Sequence, residues 1–243
     1  MVLRYTISRK AKEVTDMPNW CDTLFKVTGT NKAKVLKFYM DMAKGVGEFG
    51  GLDEKKRTYK DDKGEEKITA NDWFGNLYLA AGYTMEEISS REMHTRGFET
   101  IVELKEVNGD YCVSISAEMA WLPAIEEMYK MIDEKYEGGL SLYYLAEEPG
   151  AEVYYCNDET GDFFDCKYVI DYDTGKGDAD RIYYGHGEDQ AEEAVRLVIK
   201  LTGKTFVNMD EVLSHEEEVQ EAFEAKYGSD DAFLSIHEFA RSY

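Results

Sequence analysis

The chain has 243 residues, of which 43% are hydrophobic and 13% aromatic, a composition that excludes an intrinsically disordered protein. Its 50 acidic residues against 28 basic ones give a formal net charge of −22. A field of that sign disfavours direct binding to nucleic acid or to an anionic membrane, and it favours a basic partner, a cation or simple solubility.

The hydropathy of the chain, its first 16 residues and its cysteines indicate the cellular compartment of the protein. No window approaches 18 consecutive apolar residues, and the basic first 16 residues lack the apolar stretch of a secretory signal. We therefore expect a cytoplasmic protein with reduced thiols and no cofactor, and no zinc site because no cysteine pair has C-x-x-C spacing. The cysteines are Cys21, Cys112, Cys156 and Cys166.

Residues 1–16 form a polar, basic segment ahead of Met17. The segment carries little apolar surface, so we expect a dispensable N-terminal extension, with Met17 as an alternative start.

Residues 20–28 are rich in β-formers and predict a strand. Residues 31–46 predict a helix with a side-chain cap at Thr30 or Asn31. Its apolar face consists of Val35, Phe38, Tyr39, Met42 and Val46.

Residues 50–70 carry charges of both signs and few apolar groups. This composition predicts a mobile, solvated insertion. The apolar segment that follows predicts a short buried element anchored by Trp73 and Phe74.

Two strands over 98–107 and 111–119 flank Asn108-Gly109, a dipeptide that predicts a hairpin because type I′ turns need positive φ at both central residues. Alternation along the second strand separates a core face from a second face. The core face carries Tyr111, Val113, Ile115 and Ala117, and the second face carries Cys112, Ser114, Ser116 and Glu118. A helix over 123–137 follows, with Pro123 in its first turn.

Three further strands are predicted over 140–146, 152–156 and 163–171, and a short one over 181–184. The acidic loop 171–180 between them departs from the EF-hand pattern, so its cation binding stays open.

Residues 187–243 predict a C-terminal helical region. One helix spans 189–201, and a capping box of Ser214 and Glu217 opens the next, which Gly228 ends. A final helix is predicted to carry Phe233, Ile236 and Phe239.

The predicted order strand, helix, strand, strand, helix, strand is that of a ferredoxin-like fold. We expect an α+β domain over 17–186, with helices 31–46 and 123–137 on one face of an antiparallel sheet that extra strands extend. The C-terminal helical region 187–243 follows it.

Three segments resemble a family of phage and plasmid proteins with a YubB/Api-type ferredoxin-like domain. They are the sequence MPNWC at 17–21, the sequence AWLP at 120–123, and the region 142–164 with its acidic pair ahead of Pro-Gly. The segment DWFGN at 72–76 stands where the family carries a tryptophan-rich block, although the family's NWGTKW is absent. The resemblance implies a ferredoxin-like fold and an origin in a mobile genetic element, and it brings no catalytic residues with it.

Tyrosine doublets at 143–144, 154–155 and 183–184 predict one ring in the core and one toward solvent. Exposed tyrosines suit protein contacts because they offer a large area at low entropic cost. The candidate binding tyrosines are Tyr143, Tyr154 and Tyr183.

Acidic side chains at helical spacing supply a second candidate surface. Glu217, Glu221 and Glu224 recur at i, i+4 and i+7, which places them on one exposed side of a helix opposite Phe223.

Other candidates are better explained structurally. A catalytic cysteine needs a base and an orienting group, so the Trp20-Cys21 pair is interpreted as an anchored strand with both side chains in the core. Glu147 and Glu148 are neighbours on a strand, so they point to opposite faces and do not form a catalytic pair.

These features favour a non-catalytic acidic interaction protein of a mobile genetic element. Its expected partner is a basic or nucleic-acid-binding host protein, which it binds as a nucleic-acid mimic or an inhibitor of host defence. The alternative is a small-molecule-binding protein or enzyme with a pocket near Trp73, Trp121 and Cys112. The sequence leaves the oligomeric state open.

Overall fold

A computed structural model describes residues 19–46, 57–60, 63–69, 73–107, 109–228 and 232–240. The protein is mixed α+β with antiparallel sheets and several helices. It divides into two compact units, an N-terminal unit whose described residues lie within 19–153 and a C-terminal unit whose described residues lie within 154–240. The predicted extension 1–16 and residue 108 of the predicted turn lie outside the described residues.

The N-terminal unit alternates strands and helices. Its elements are β1 (Trp20–Thr28), α1 (Lys32–Val46), β2 (Arg57–Lys60), β3 (Glu66–Thr69), α2 (Gly75–Ala80), α3 (Met85–Ser90), β4 (Gly97–Val107), β5 (Asp110–Ala120), α4 (Ile125–Tyr136) and β6 (Ser141–Glu148). The main sheet has the order β4-β5-β1-β6-β7, where β7 is Val153–Cys156, and the division between the units falls within β7. The pairs β4–β5, β5–β1 and β1–β6 are antiparallel.

One face of this sheet is the core of the N-terminal unit. The alternate residues Cys21, Thr23, Phe25 and Val27 of β1 are buried, and they pair with Met119, Ala117, Ile115 and Val113 of β5. The predicted separation of the two faces of β5 is therefore confirmed. Cys112 is also buried, although it lies on the second face.

The C-terminal end of α4 contacts α1 in the N-terminal unit. The rings of Phe38 in α1 and Tyr136 in α4 are 5.0 Å apart, edge to face. The Lys34 ammonium of α1 donates to the carbonyl oxygens of Tyr136 and Gly138. The Asn31 carboxamide caps α1 by accepting from the N–H groups of Ala33 and Lys34, which is one of the two caps predicted.

The C-terminal unit has a three-stranded antiparallel sheet with helices packed on it. Its strands are β8 (Tyr168–Asp173), β9 (Ala179–Tyr184) and β10 (Phe233–Glu238), in the order β10-β8-β9. Its helices are α5 (Glu188–Thr202), α6 (Met209–Ser214) and α7 (Glu216–Tyr227). The buried core includes Ile170, Val198, Leu201, Phe223 and Ile236.

The final helix predicted around Phe233 is wrong, because this segment is the strand β10. Burial alternates with a period of two: Leu234 and Ile236 are buried, whereas Phe233 is exposed. The strand is held by pairing with β8, sixty to seventy residues earlier in the chain. Because of this pairing, β8 and β10 belong to the same compact unit.

The predicted capping box at Ser214 and Glu217 is also wrong. Ser214 ends α6 and its hydroxyl donates to the carbonyl oxygen of Glu211, while His215 precedes α7 without a side-chain cap. The cap of α6 is Asn208, whose side-chain oxygen accepts the N–H of Glu211 at 2.8 Å.

Two other segments differ from their predicted form. Within the predicted insertion 50–70, β2 and β3 pair as an antiparallel two-stranded sheet, and residues 50–56, 61–62 and 70 lie outside the described part of the chain. The strand predicted over 163–171 begins only at Tyr168. The Asp158 carboxylate accepts the N–H groups of Phe163 and Phe164 at 2.6 and 2.7 Å, and this holds residues 158–164 as a loop.

Candidate interaction surfaces

Helix α7 places the three predicted glutamates on its exposed side. Val219 and Phe223 are buried in the C-terminal core, whereas Glu217, Glu221 and Glu224 are exposed. Their positions agree with the helical spacing read from the sequence, and their role in binding stays a prediction. We call Glu217, Glu221 and Glu224 the α7 acidic face.

The carboxylates of α7 are only partly neutralised by neighbours. Glu218 pairs with Lys204 at 2.7 Å, and Glu224 accepts from the Gln220 amide at 3.1 Å. Glu217 and Glu221 have no ion pair or hydrogen bond among the residues that the structure describes. Like charges at i and i+4 destabilise a helix, so the glutamates on this side of α7 do not serve to stabilise the helix.

The charge density along α7 is close to that of a nucleic-acid strand. The helix has 12 residues, five of them glutamates, and spans about 18 Å at about 1.5 Å per residue. Counted around the whole helix it therefore carries one carboxylate per roughly 3.6 Å of axis, against one phosphate per about 3.4 Å along a single DNA strand, whereas the three carboxylates of the α7 acidic face are about 6 and 4.5 Å apart.

The three predicted tyrosines lie in different surroundings. Tyr143 is half-buried on β6, beside the buried Tyr144, and Tyr183 is half-buried on β9, beside the buried Tyr184. These two doublets split between core and surface as predicted. Tyr154 is a correction, because it is only 6% exposed and its ring stacks on His237 at 3.9 Å. In that doublet Tyr155 is the half-buried member.

The three residues of the predicted pocket do not converge. Cys112 pairs with Thr28 at one end of β5, whereas Trp121 follows the last residue at the other end. The two positions are nine residues apart in number, which is about 30 Å along an extended strand. Trp73 pairs with Phe98, which lies beside Glu118 near the Trp121 end.

The described cysteines are all buried free thiols. Burial raises the pKa of Cys21 to about 12 and that of Cys156 to about 11, and it also raises the pKa of Cys112 and of Cys166. Because the thiolate is the nucleophile, these side chains are protonated and unreactive at neutral pH. Cys21 lies in the core as predicted, but Trp20 lies on the opposite face of β1.

Two carboxylates of the acidic segment 171–180 have interaction partners in or next to that segment. Asp173 accepts the N–H of Gly175 at 2.7 Å, and Asp171 lies 3.6 Å from Arg181. Burial raises the pKa of Asp171. No group of three acidic, histidine or cysteine side chains suited to a metal ion is found among the described residues.

Glu147 and Glu148 point to opposite faces, since Glu148 is buried and accepts the N–H of Gly150 at 2.9 Å.

The second face of the N-terminal sheet was not singled out from the sequence as a site. Backbone register aligns Glu118 of β5, Asp22 of β1 and Glu147 of β6 in one row across three neighbouring strands. We call these three residues the acidic row and this side of the sheet the open face. The next row contains Ser116, Leu24 and Leu145, and the row after it contains Ser114, Lys26 and Tyr143.

Aromatic and apolar side chains adjoin the acidic row. Phe98 of β4 pairs with Glu118 and is 37% exposed, and its ring lies 5.2 Å from that of Trp20. Leu24, in the neighbouring row, is 41% exposed. Trp121, just beyond β5, is 48% exposed and has a φ of +72°. A bulky residue with positive φ is strained, so this backbone holds an exposed indole at a conformational cost.

A shallow cleft of the C-terminal unit has room for only about one water molecule. It is lined mainly by Val212, Leu213, Val219, Leu234 and Ile236. Across the described ranges, every helix is too short or too polar to cross a bilayer.

Comparison with known proteins gives no match to any family model, any curated protein or any solved structure.

Proposed function

We propose that this protein is a non-catalytic acidic interaction protein that binds a basic or nucleic-acid-binding host protein through the α7 acidic face. The observation that carries the proposal is the line of three exposed carboxylates on one side of α7. They follow one another at about 6 and 4.5 Å along the axis at about 1.5 Å per residue, against about 3.4 Å between successive phosphates of a strand. A protein that binds phosphates with lysine and arginine accepts such a helix as a nucleic-acid mimic.

The formal net charge of −22 supports the same proposal. A strong negative field accelerates encounter with a basic partner and disfavours acidic ones. Inhibition of a host defence protein is the biological role we propose for this binding, within a phage or plasmid. The resemblance of residues 17–21 and 120–123 to mobile-element proteins supports that origin, and the strand order β4-β5-β1-β6 supports the ferredoxin-like path that the resemblance implies.

The test compares the wild-type protein with the triple reversal Glu217→Lys, Glu221→Lys, Glu224→Lys. Proteins captured from a host extract by the immobilised wild type are identified by mass spectrometry. The association and dissociation rates of the purified partner are then measured between about 50 and 200 mM salt. We expect a steep fall in association rate with salt and a comparable fall on triple reversal, because exposed charges act mainly on encounter.

The matched control reverses three exposed acids of the N-terminal unit, Glu86, Asp133 and Glu137, and so changes the net charge equally. We expect this control to lower the association rate much less than the reversal on α7. Salt-independent rates, or equal effects of the two triple variants, would show that the α7 acidic face is not the binding site.

A further inference from the structure

We infer that residues 91–96, which connect α3 to β4, form a pH-sensitive connection that opens when the ring of His94 is protonated in mildly acidic solution. This inference goes beyond the proposed function, since it concerns the N-terminal unit and none of the residues of the α7 acidic face. It stands on a buried ring nitrogen without a partner and on the elements that hold the backbone of the same residue.

The backbone of His94 is bound from two sides. Its N–H donates to Oε1 of Glu127 in α4 at 3.2 Å, and its carbonyl oxygen accepts the hydroxyl of the buried Tyr78 in α2 at 3.1 Å. The preceding residue, Met93, donates its N–H to the carbonyl oxygen of Ile88 in α3 at 3.1 Å. Because three helices hold this backbone, the imidazole ring reaches water fully only when the connection moves.

The ring of His94 is half-buried, and its Nε2 atom is buried without a hydrogen-bond partner among the residues that the structure describes. A neutral imidazole has one N–H and one lone pair, so the buried nitrogen can be the one that carries only a lone pair. Protonation makes both ring nitrogens donors and adds a full charge. The closed connection then buries an unpaired charged N–H, which costs more than an unpaired neutral acceptor.

The neighbouring groups do not supply the missing acceptor. Around the ring, the described residues place the Glu127 carboxylate from α4, the Arg96 guanidinium from the connection itself and the Tyr78 hydroxyl from α2. Burial lowers the pKa of His94 below its ordinary value and Arg96 lowers it too, whereas Glu127 raises it. The closed connection therefore binds the proton more weakly than the open one, and opening becomes more favourable as the pH falls through the ordinary histidine pKa of about 6.5.

The connection is also bonded to the edge of the N-terminal sheet. The carbonyl oxygen of Arg96 accepts the N–H of Ala120 at 2.7 Å, and that of Gly97 accepts the N–H of Phe74 at 3.0 Å. Ala120 is the last residue of β5 and precedes Trp121, which is 48% exposed. Opening of the connection therefore changes the surface at this end of β5.

The experiment is amide hydrogen exchange, followed by NMR on the isotopically labelled full chain at pH 7.5 and pH 5.5. Exchange is expressed as protection factors, which removes the pH dependence of the chemical exchange rate. Histidine is the side chain that titrates in this range, since ordinary carboxylates have a pKa of about 4. We expect the protection of the Met93 and His94 amides to fall by up to about tenfold. The amides of Val198 and Leu201 in α5 should change much less.

Three variants assign the effect to one ring. His94→Gln stays neutral over this range, so the protection of the Met93 amide should no longer depend on pH. The matched control His215→Gln removes an exposed histidine of the C-terminal unit and should keep the wild-type change. Glu127→Gln keeps an acceptor for the backbone N–H but removes the attracting charge, so the fall in protection should be at least as large as in the wild type.

The amide spectrum of each variant reports whether it is folded, and His94→Asn replaces His94→Gln if that variant does not fold. The comparison of the connection with α5 in the wild type needs no variant. The inference is overturned if protection of the connection is independent of pH, if His94→Gln shows the wild-type fall, or if α5 loses protection equally. An NMR titration that places the pKa of the His94 ring above about 6.5 also overturns it, because Glu127 then accepts from the protonated ring. The test of the α7 acidic face uses other residues, so either proposal can fail without the other.

Discussion

Asp158 shows how one carboxylate fixes a loop of the C-terminal unit. Burial alone would raise its pKa, but hydrogen bonds from the Phe164 and Phe163 N–H groups and from the Thr160 hydroxyl lower the pKa below its ordinary value. The ionised form is therefore the one that the fold stabilises. Its contribution is present above the ordinary aspartate pKa of about 4 and is lost as the pH falls through the lowered folded value.

We predict that Asp158→Asn destabilises the protein by about 1–3 kcal/mol at neutral pH, because charged acceptors bind backbone N–H groups more strongly than neutral ones. The stability difference between wild type and variant should shrink as the pH falls below about 4. Denaturant unfolding at several pH values measures this. A difference that stays constant down to pH 2, or one that grows, would contradict the assignment.

Single residues also explain why the site was only partly visible in the sequence. Glu217, Glu221 and Glu224 have helical spacing, a local signal that places them correctly. The acidic row has no such signal, because Asp22, Glu118 and Glu147 are far apart in the chain and meet only through strand register. Alternation along β5 did place Glu118 on the second face, but only the pairing with β1 and β6 reveals its neighbours.

At the scale of elements, the sequence predicted those whose signals are local and repeated. Helices α1 and α4 have apolar stripes over three or four turns, and the hairpin of β4 and β5 has a turn dipeptide between two alternating strands. The elements that it missed are short, or their conformation depends on pairing with residues far away in the sequence. Strand β10 has six residues, and Phe233, Ile236 and Phe239 in and just after it follow one another at i, i+3 and i+6, which resembles a helical spacing, so only pairing with β8 decides its conformation.

We predict that Ile236→Ala destabilises the protein by about 2–4 kcal/mol, because it opens a cavity in the core under β10. The control Phe233→Ala removes a larger side chain from the same strand, but Phe233 is 44% exposed, so it should cost well under half as much. Urea unfolding of both variants gives the comparison. Equal losses would favour a helical stripe containing both residues and would contradict the strand.

At the scale of the whole molecule, the 22 unbalanced negative charges repel one another in the folded protein more than in the expanded chain. We predict that sodium chloride raises the melting temperature by several degrees between about 10 mM and 500 mM, because the screening length falls below typical surface separations. Calorimetry measures this. The triple variant Glu217→Gln, Glu221→Gln, Glu224→Gln should show a smaller rise, and a melting temperature that falls with salt would mean that attractive pairs dominate the surface.

The tryptophans give the protein a built-in optical reporter. All three belong to the N-terminal unit: Trp20 and Trp121 lie at the end of the open face that carries the acidic row, and Trp73 pairs with Phe98 there. Residues 154–243 contain no tryptophan. Quenching or a spectral shift of the intrinsic emission therefore reports a change at the acidic-row end of the N-terminal sheet in an unlabelled sample.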